Sequence, residues 1–505
     1  MSFLQNEEDP ALSRLANAIG LPDANEKVLR LARVLMFLGP LANFTFVMST
    51  TFYLIFVAEA LGGGDYISGL PLVATLIVIQ MAVQLVLDYP TGAIGDWIGQ
   101  RYIMASATIC YAAAFWLVSI VTALTPFWFL VVIYVIQGLG NSQMSGAFNT
   151  WFDNNYRVAM PGDSDRKQYG MFWGRVGGIM QVVSTAALIP GSILAAVFGR
   201  AWVFQLQAIL ALMLTVIAFR YITDFPEVQA ARQERPTMSG YTKILKDGVG
   251  YLWSEPFVRY VVIGSMLVAS SIMVWGNLIL FPMYFLYLIT DVAVASFRTL
   301  LFIPGIVSQE RSGVWSRRFE PKKWIPIFRL IQTCGFVFFW VFSIIMFLLP
   351  PAINGGPMLS VVLPIANVEL MQIPVGNLLP VVFIFFTFTL TGFFGGFAEI
   401  LTQRELLDAI PNRIRNSMYS LSPTIATIFA LPQIALFGWL IPTIGFPLTL
   451  ALCGLISLCG VLLIRKGLVQ QKPVLQEEAW SNGQAQAEVV MEDIEEQIMH
   501  EVNEE

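Results

Sequence analysis

The sequence predicts an all-α integral membrane protein, with twelve transmembrane helices arranged as two pseudo-symmetric six-helix bundles. Three observations carry this. Only 12% of the residues are charged and 56% are hydrophobic, with mean hydropathy +0.68, whereas a soluble globular chain is about 25% charged. Apolar stretches of the roughly 20 residues needed to cross a bilayer recur along the chain. Lys and Arg are concentrated in alternate connections, the bias that keeps short basic loops in the cytoplasm.

The predicted helices are numbered here as spans 1 to 12. After a polar segment at 1–30, the first bundle occupies 31–222, with spans at about 31–57, 66–89, 100–122, 127–152, 172–198 and 201–222. A polar central loop at 223–256 follows, holding Arg232, Arg235, Lys243 and Lys246. The second bundle occupies 257–464, with spans at about 257–289, 294–312, 324–349, 378–403, 413–440 and 443–464. The tail, 465–505, is acidic: from Val474 onward it has ten acids and no Lys or Arg, so the net charge of −5 hides a mildly basic body.

With the N-terminus inside, only Arg200 and Arg298 of the 29 basic residues fall at the outer face. Both termini are therefore expected in the cytoplasm and the protein in the cell membrane. The polar, acidic opening from Gln5 to Asp9 does not fit a cleavable signal, which needs a basic region there. Near the N-terminus, Leu12, Leu15, Ala16 and Ile19 share one helical face and suggest a short interfacial helix. In the tail, Val490, Ile494, Ile498 and Val502 recur at about helical spacing among acids, as a solvated or docking helix would. The apolar segment from Pro350 to Asn377, broken by Pro and Gly, would cap the outer side.

Between spans 2 and 3 stands Gly92-Ala93-Ile94-Gly95-Asp96-Trp97-Ile98-Gly99-Gln100-Arg101, read as a glycine-rich polar turn. Between spans 8 and 9 the chain runs Gly313-Val314-Trp315-Ser316-Arg317-Arg318, and aligning Gly313 with Gly92 sets Arg317 at the Asp96 position. Span 4 adds Gln137-Gly138-Leu139-Gly140, Ser145-Gly146-Ala147 and Asp153. Over about residues 30–465 the chain resembles the major facilitator superfamily of secondary transporters, whose halves are related by an axis along the membrane normal. It departs from the family's drug–proton antiporters at Tyr134, where an arginine is common, and at Ile189-Pro190-Gly191-Ser192 in span 5.

The resemblance implies a gate at the cytoplasmic side, formed by Gly92, Asp96, Gly99, Arg101, Asp153, Gly313, Arg317 and Glu399. In it Asp96 would meet the start of span 11 and Arg101 would pair with Asp153. An acid at a helix N-terminus gains roughly 0.3–1 kcal/mol from unpaired amides, enough to bias a switch without locking it. Arg318 and Asp408 would join Arg317 and Glu399 in the second half.

Polar groups at mid-bilayer depth are expensive unless they face water or a partner. Asn43, Gln137, Asn141, Trp275, Asn277 and Thr391 are therefore candidates for the substrate path, with Gln80, Gln84 and Thr387 near them. Arg298 either faces that path, where it would bind an anionic group, or snorkels to the interface. No carboxylate falls near the middle of any span, which leaves Glu59 as the candidate coupling site for H+ or Na+.

Composition excludes other classes. The only histidine is His500, and Cys110, Cys334, Cys453 and Cys459 lie in apolar runs without metal-ligand spacing. No metal, cofactor, enzymatic centre or nucleic-acid partner is expected. The expected partners are a small organic substrate and the lipid bilayer. The alternatives are an efflux pump for amphiphilic drugs or lipids, and a transporter-like sensor that signals through its tail.

Overall fold

A computed structural model describes residues 16–17, 19–163, 166–230, 246, 248–302, 318–352, 356–363 and 368–473. Ten helices among them are long and apolar enough to cross a membrane. One of the ten, Leu421–Val469, is interrupted at Gly445 and carries spans 11 and 12. Span 8 is helical over 291–302, and its expected remainder lies outside the described residues. Large apolar side chains such as Phe37, Val86, Trp116, Val216, Phe347 and Trp439 are exposed on the bundle, as a lipid-facing surface requires.

Several spans are jointed where the sequence suggested continuous helices. Span 1 is Glu26–Val47, whose N-cap Asn25 accepts from the Val28 amide, followed by Tyr53–Leu61. Span 4 breaks between Phe127–Met144 and Ala147–Ala159, where Gly146 takes φ +74°. Span 7 runs Pro256–Val274, then a π-helical turn at Trp275–Ile279, then Leu280–Leu288. Span 9 is split into Pro321–Ile331 and Phe336–Leu348.

The stretch read as a polar turn is helical. Span 2 begins at Tyr66, with Asp65 accepting from the amides of Ile67 and Ser68, and continues through Ile98. Gly99 alone reverses the chain before span 3, Gln100–Ser119, with φ +106° and ψ 142°. That region is open essentially to glycine alone. The same turn recurs at Gly199 (φ +93°, ψ 151°), between span 5, Lys167–Phe198, and span 6, Arg200–Tyr221. It recurs again at Gly445 (φ +80°, ψ 167°). Gly199 and Gly445 occupy matching places in the two halves, after the fifth span of each.

The alternating spans give the bundle two ends, called here the Gly99 end and the Gly199 end. One continuous apolar core joins the halves towards the Gly199 end. It brings Phe52, Ile55 and Phe204 together with Tyr284, Phe338 and Phe437. Gly438 of span 11 sits directly on Ala74 of span 2 there. At the Gly99 end the core divides. Trp151, Phe152 and Phe172 belong to a first-half cluster, and Phe257, Phe328 and Phe397 to a separate second-half one. The halves are thus closed on each other at the Gly199 end.

The segment expected to be apolar and irregular holds a hairpin, the departure from an all-helical chain among the described residues. Strand β1, Met358–Leu363, pairs antiparallel with β2, Val368–Pro374, with a bulge between Val361 and Val362. β2 packs against spans 7 and 5, and the Gln372 amide reaches Thr290 Oγ1 at 3.4 Å. Asn377 then anchors the start of span 10, Leu378–Leu407. It accepts from the Ala352 amide and donates to the Tyr287 carbonyl.

At the N-terminus, Ala16 and Ile19 are buried against the first half, and Arg175 donates to the Asn17 carbonyl. This part of the expected interfacial helix packs on protein; Leu12 and Leu15 lie outside the described residues, as does the acidic tail beyond residue 473.

Candidate functional site

The site begins with span 4. Tyr134, Gln137 and Asn141 recur at three- and four-residue spacing and so share one face of its first helix. Gln137 is buried and donates from Nε2 to the Tyr53 hydroxyl at 2.7 Å. Asn141 Oδ1 accepts from the Tyr111 hydroxyl at 2.5 Å. These groups open onto a cavity of about 290 Å³ between the halves. Its amides are Gln80, Gln137, Asn141 and Asn277, and its walls include Phe46, Tyr53, Tyr111, Phe115, Tyr134 and Phe281. Ser49 and Thr50 add hydroxyls, and no charged side chain is among its lining residues.

The second half contributes through the π-helical turn. An i→i+5 turn shifts the register of the side chains beyond it. Gly276 and Asn277 come to face the cavity, while Trp275 turns away. Asn277 donates to the Met273 carbonyl at 2.8 Å, and its own carbonyl has no partner among the described residues. Trp275 is not a platform in the cavity. It is buried among Phe338, Phe339, Phe342 and Phe388, with ring centroids 5.0–6.2 Å away.

Other candidates are placed elsewhere. Asn43 bonds Ser184 Oγ and the Met180 carbonyl of span 5 and lines a separate cleft within the first half. Thr391 is buried and bonds the Thr387 carbonyl and Thr333. Arg298 does not snorkel. Its guanidinium lies 4.4 Å from the centroid of Phe302, one turn further into the bundle, and 5.7 Å from that of Phe388. Glu59 is engaged in an ion pair, its Oε2 accepting from Arg200 Nη1 at 2.7 Å.

The residues expected to form a gate at the Gly99 end are paired differently from that expectation. Asp96 Oδ1 accepts from Gln100 Nε2, one turn on. Arg101 is not paired with Asp153. It donates to the Tyr102 hydroxyl and lies 4.7 Å from the Phe219 ring centroid of span 6. Asp153 is taken by Arg157 at 2.9 Å and Arg166 at 2.6 Å. The reason is local: in the first turn of span 3 Arg101 faces Phe219 of span 6, while Asp153 is met by Arg157, one turn on in its own helix. A second cavity of about 370 Å³ opens here, lined by Asp96, Gln100, Thr150, Asn154, Arg157 and Asp224 among others.

In the second half Glu399 meets Arg329 at 2.8 Å and Asp408 meets Lys472 at 3.1 Å. Gly313 and Arg317 lie outside the described residues. Sequence reading missed Arg329 because it sits inside an apolar span. It also missed Tyr53 and Tyr111, whose aromatic mass reads as core; the polar face of span 4 was the signal that could have found them.

A family model described as Major Facilitator Superfamily matches residues 35–378. No curated protein sequence matches the chain. Among solved structures, the nucleoside transporter NupG is similar at TM-score 0.61 and 11% identity, over 88% of this chain and 100% of that one. A POT family transporter in complex with 5-aminolevulinic acid is similar at TM-score 0.58 and 12% identity, over 87% and 96%. A D-xylose-proton symporter is similar at TM-score 0.54 and 13% identity, over 86% and 98%.

Proposed function

The chain belongs to the Major Facilitator Superfamily, and on that premise we propose that it is a secondary carrier moving a small, polar, ring-bearing organic solute across the cell membrane by alternating access. The observation that carries this reading is the cavity between the halves, with four side-chain amides among aromatic walls. Amides and hydroxyls fix the orientation of polar groups, and aromatic faces take a flat ring. The nucleoside and sugar transporters among the structural neighbours handle solutes of this kind.

In this reading the halves 31–222 and 257–464 rock against each other, tethered by 223–256. The basic connections put the Gly99 end and both termini in the cytoplasm. The joined core at the Gly199 end then belongs to an inward-facing state, and the Arg200 ion pairs hold its outer side shut. The Asp96 and Asp153 clusters would regroup when the cytoplasmic side closes.

Thermal unfolding of the full chain in detergent, against nucleosides, sugars and ring-bearing acids and amides, tests the proposal. A ligand at about 100 times its Kd stabilises by roughly 2.7 kcal/mol. We expect a ligand whose shift disappears in Asn141→Ala and Gln137→Ala. Equal shifts in both variants and the wild type would overturn the placement of the site.

A further inference from the structure

We propose that Arg298 and Tyr284 form an anion-binding subsite, so that the transported solute carries an acidic group. The inference deepens the carrier reading above and rests on it. Arg298 has neither an ion pair nor a hydrogen bond among the described residues, and its contacts are the faces of Phe302 and Phe388. An unpaired guanidinium inside a membrane bundle is costly, and such groups persist where a ligand or pathway uses them. Tyr284 is 1% exposed, and its hydroxyl has no hydrogen-bond partner among the described residues. A buried hydroxyl without a partner forfeits its hydration with nothing in return. The Tyr284 ring packs edge-on against Phe297, the residue before Arg298, with centroids 5.2 Å apart, so these two unsatisfied donors sit side by side.

Position ties the pair to the solute path. Thr299, the next residue, donates to the Thr185 carbonyl of span 5 at 3.4 Å, so this turn of span 8 lies on the seam between the halves. Asn277 and Phe281 line the central cavity. Tyr284 continues the same stripe of span 7 at the next three-residue step. A ring in the cavity would thus extend an acidic substituent along that stripe to Arg298. Arginine suits the task because its planar fork matches a carboxylate or phosphate.

The test compares isosteric acids and amides on the full chain in detergent at constant ionic strength: nicotinate with nicotinamide, and benzoate with benzamide, with inorganic phosphate alongside. We expect at least one acid to raise Tm where its amide does not. Its apparent affinity should fall at least tenfold in Arg298→Met and about fivefold in Tyr284→Phe, which keeps the ring and serves if Arg298→Met fails to fold. No preference for any anion over the neutral compounds would overturn the proposal. So would an acid effect that survives both substitutions. Failure of the cavity reading is separable: there Asn141→Ala and Gln137→Ala are without effect, while the acid preference still depends on Arg298.

Discussion

Arg200 and Asp291 face each other across the seam between the halves and form a two-point ion pair, Nε to Oδ2 at 2.9 Å and Nη2 to Oδ1 at 2.8 Å. Glu59 takes the remaining arm of the guanidinium. The Asp291 side chain is 10% exposed and that of Glu59 36%. Removing the more buried partner loses the two-point, less screened ion pair, whereas removing Glu59 loses a single, more exposed one.

Asp291→Asn is therefore expected to open the Gly199 end, and Glu59→Gln to do so less. The readout is labelling of Thr50→Cys, a cavity-lining position, by an impermeant maleimide added to intact cells, with the four native cysteines replaced. The rate should rise at least tenfold in Asp291→Asn, a bias of about 1.4 kcal/mol or more. An unchanged rate would show that this pair does not hold the seam.

The glycines of the conspicuous motif should differ sharply from one another. Gly99 has φ +106°, where an L-residue is strained by about 1–3 kcal/mol. Gly92 is helical, and a Cβ there meets nothing within 4 Å. Gly99→Ala should lower Tm by several degrees, whereas Gly92→Ala should be neutral or gain up to about 1 kcal/mol. Thermal unfolding of the two variants decides it, and equal losses would contradict the single-residue turn.

Arg101 and Asp153 should behave as independent residues. A double-mutant cycle between them, read by thermal unfolding, should be additive within about 0.5 kcal/mol. The cycle between Arg166 and Asp153, which meet at 2.6 Å, should show measurable coupling. Strong coupling in the first cycle would restore the pairing that the sequence suggested.

Tyr53→Phe should destabilise the protein by about 1–3 kcal/mol, because it leaves the buried Gln137 amide without its acceptor. Adding Gln137→Leu should recover part of that loss, since no buried polar group is then stranded. A further full loss in the double variant would argue against the bond.

The fold was largely legible because hydropathy and basic loops report burial in lipid directly. The joints were not. Hydropathy averages over windows, so it is blind to one residue at Gly99 and to the register shift at Trp275–Ile279. It therefore carried span 2 only to about residue 89, although Gly92 to Ile98 is as helical as the rest. Gln137, Asn141 and Asn277 were found because polar amides in a span stand out against their neighbours. Trp275 was misplaced for the opposite reason: an aromatic residue suits a core and a cavity wall equally, and only the π-turn decides which way it points. Arg101 shows a third limit. A motif supplies charges of both signs, and their pairing depends on which helix each one rides.

The hairpin packed on spans 7 and 5 gives the shut side a second fastener, unlike the first in kind. One clasp is ionic and weakens as salt screens it; the other is mostly apolar contact, which strengthens in excluded salts and fades in the cold. Added screening salt loosens the first and cooling the second, but neither change alone loosens both. The resting posture of this protein should therefore tolerate swings in ionic strength and temperature that would unlatch either clasp alone, and leaving it should require a solute that acts on the two halves together.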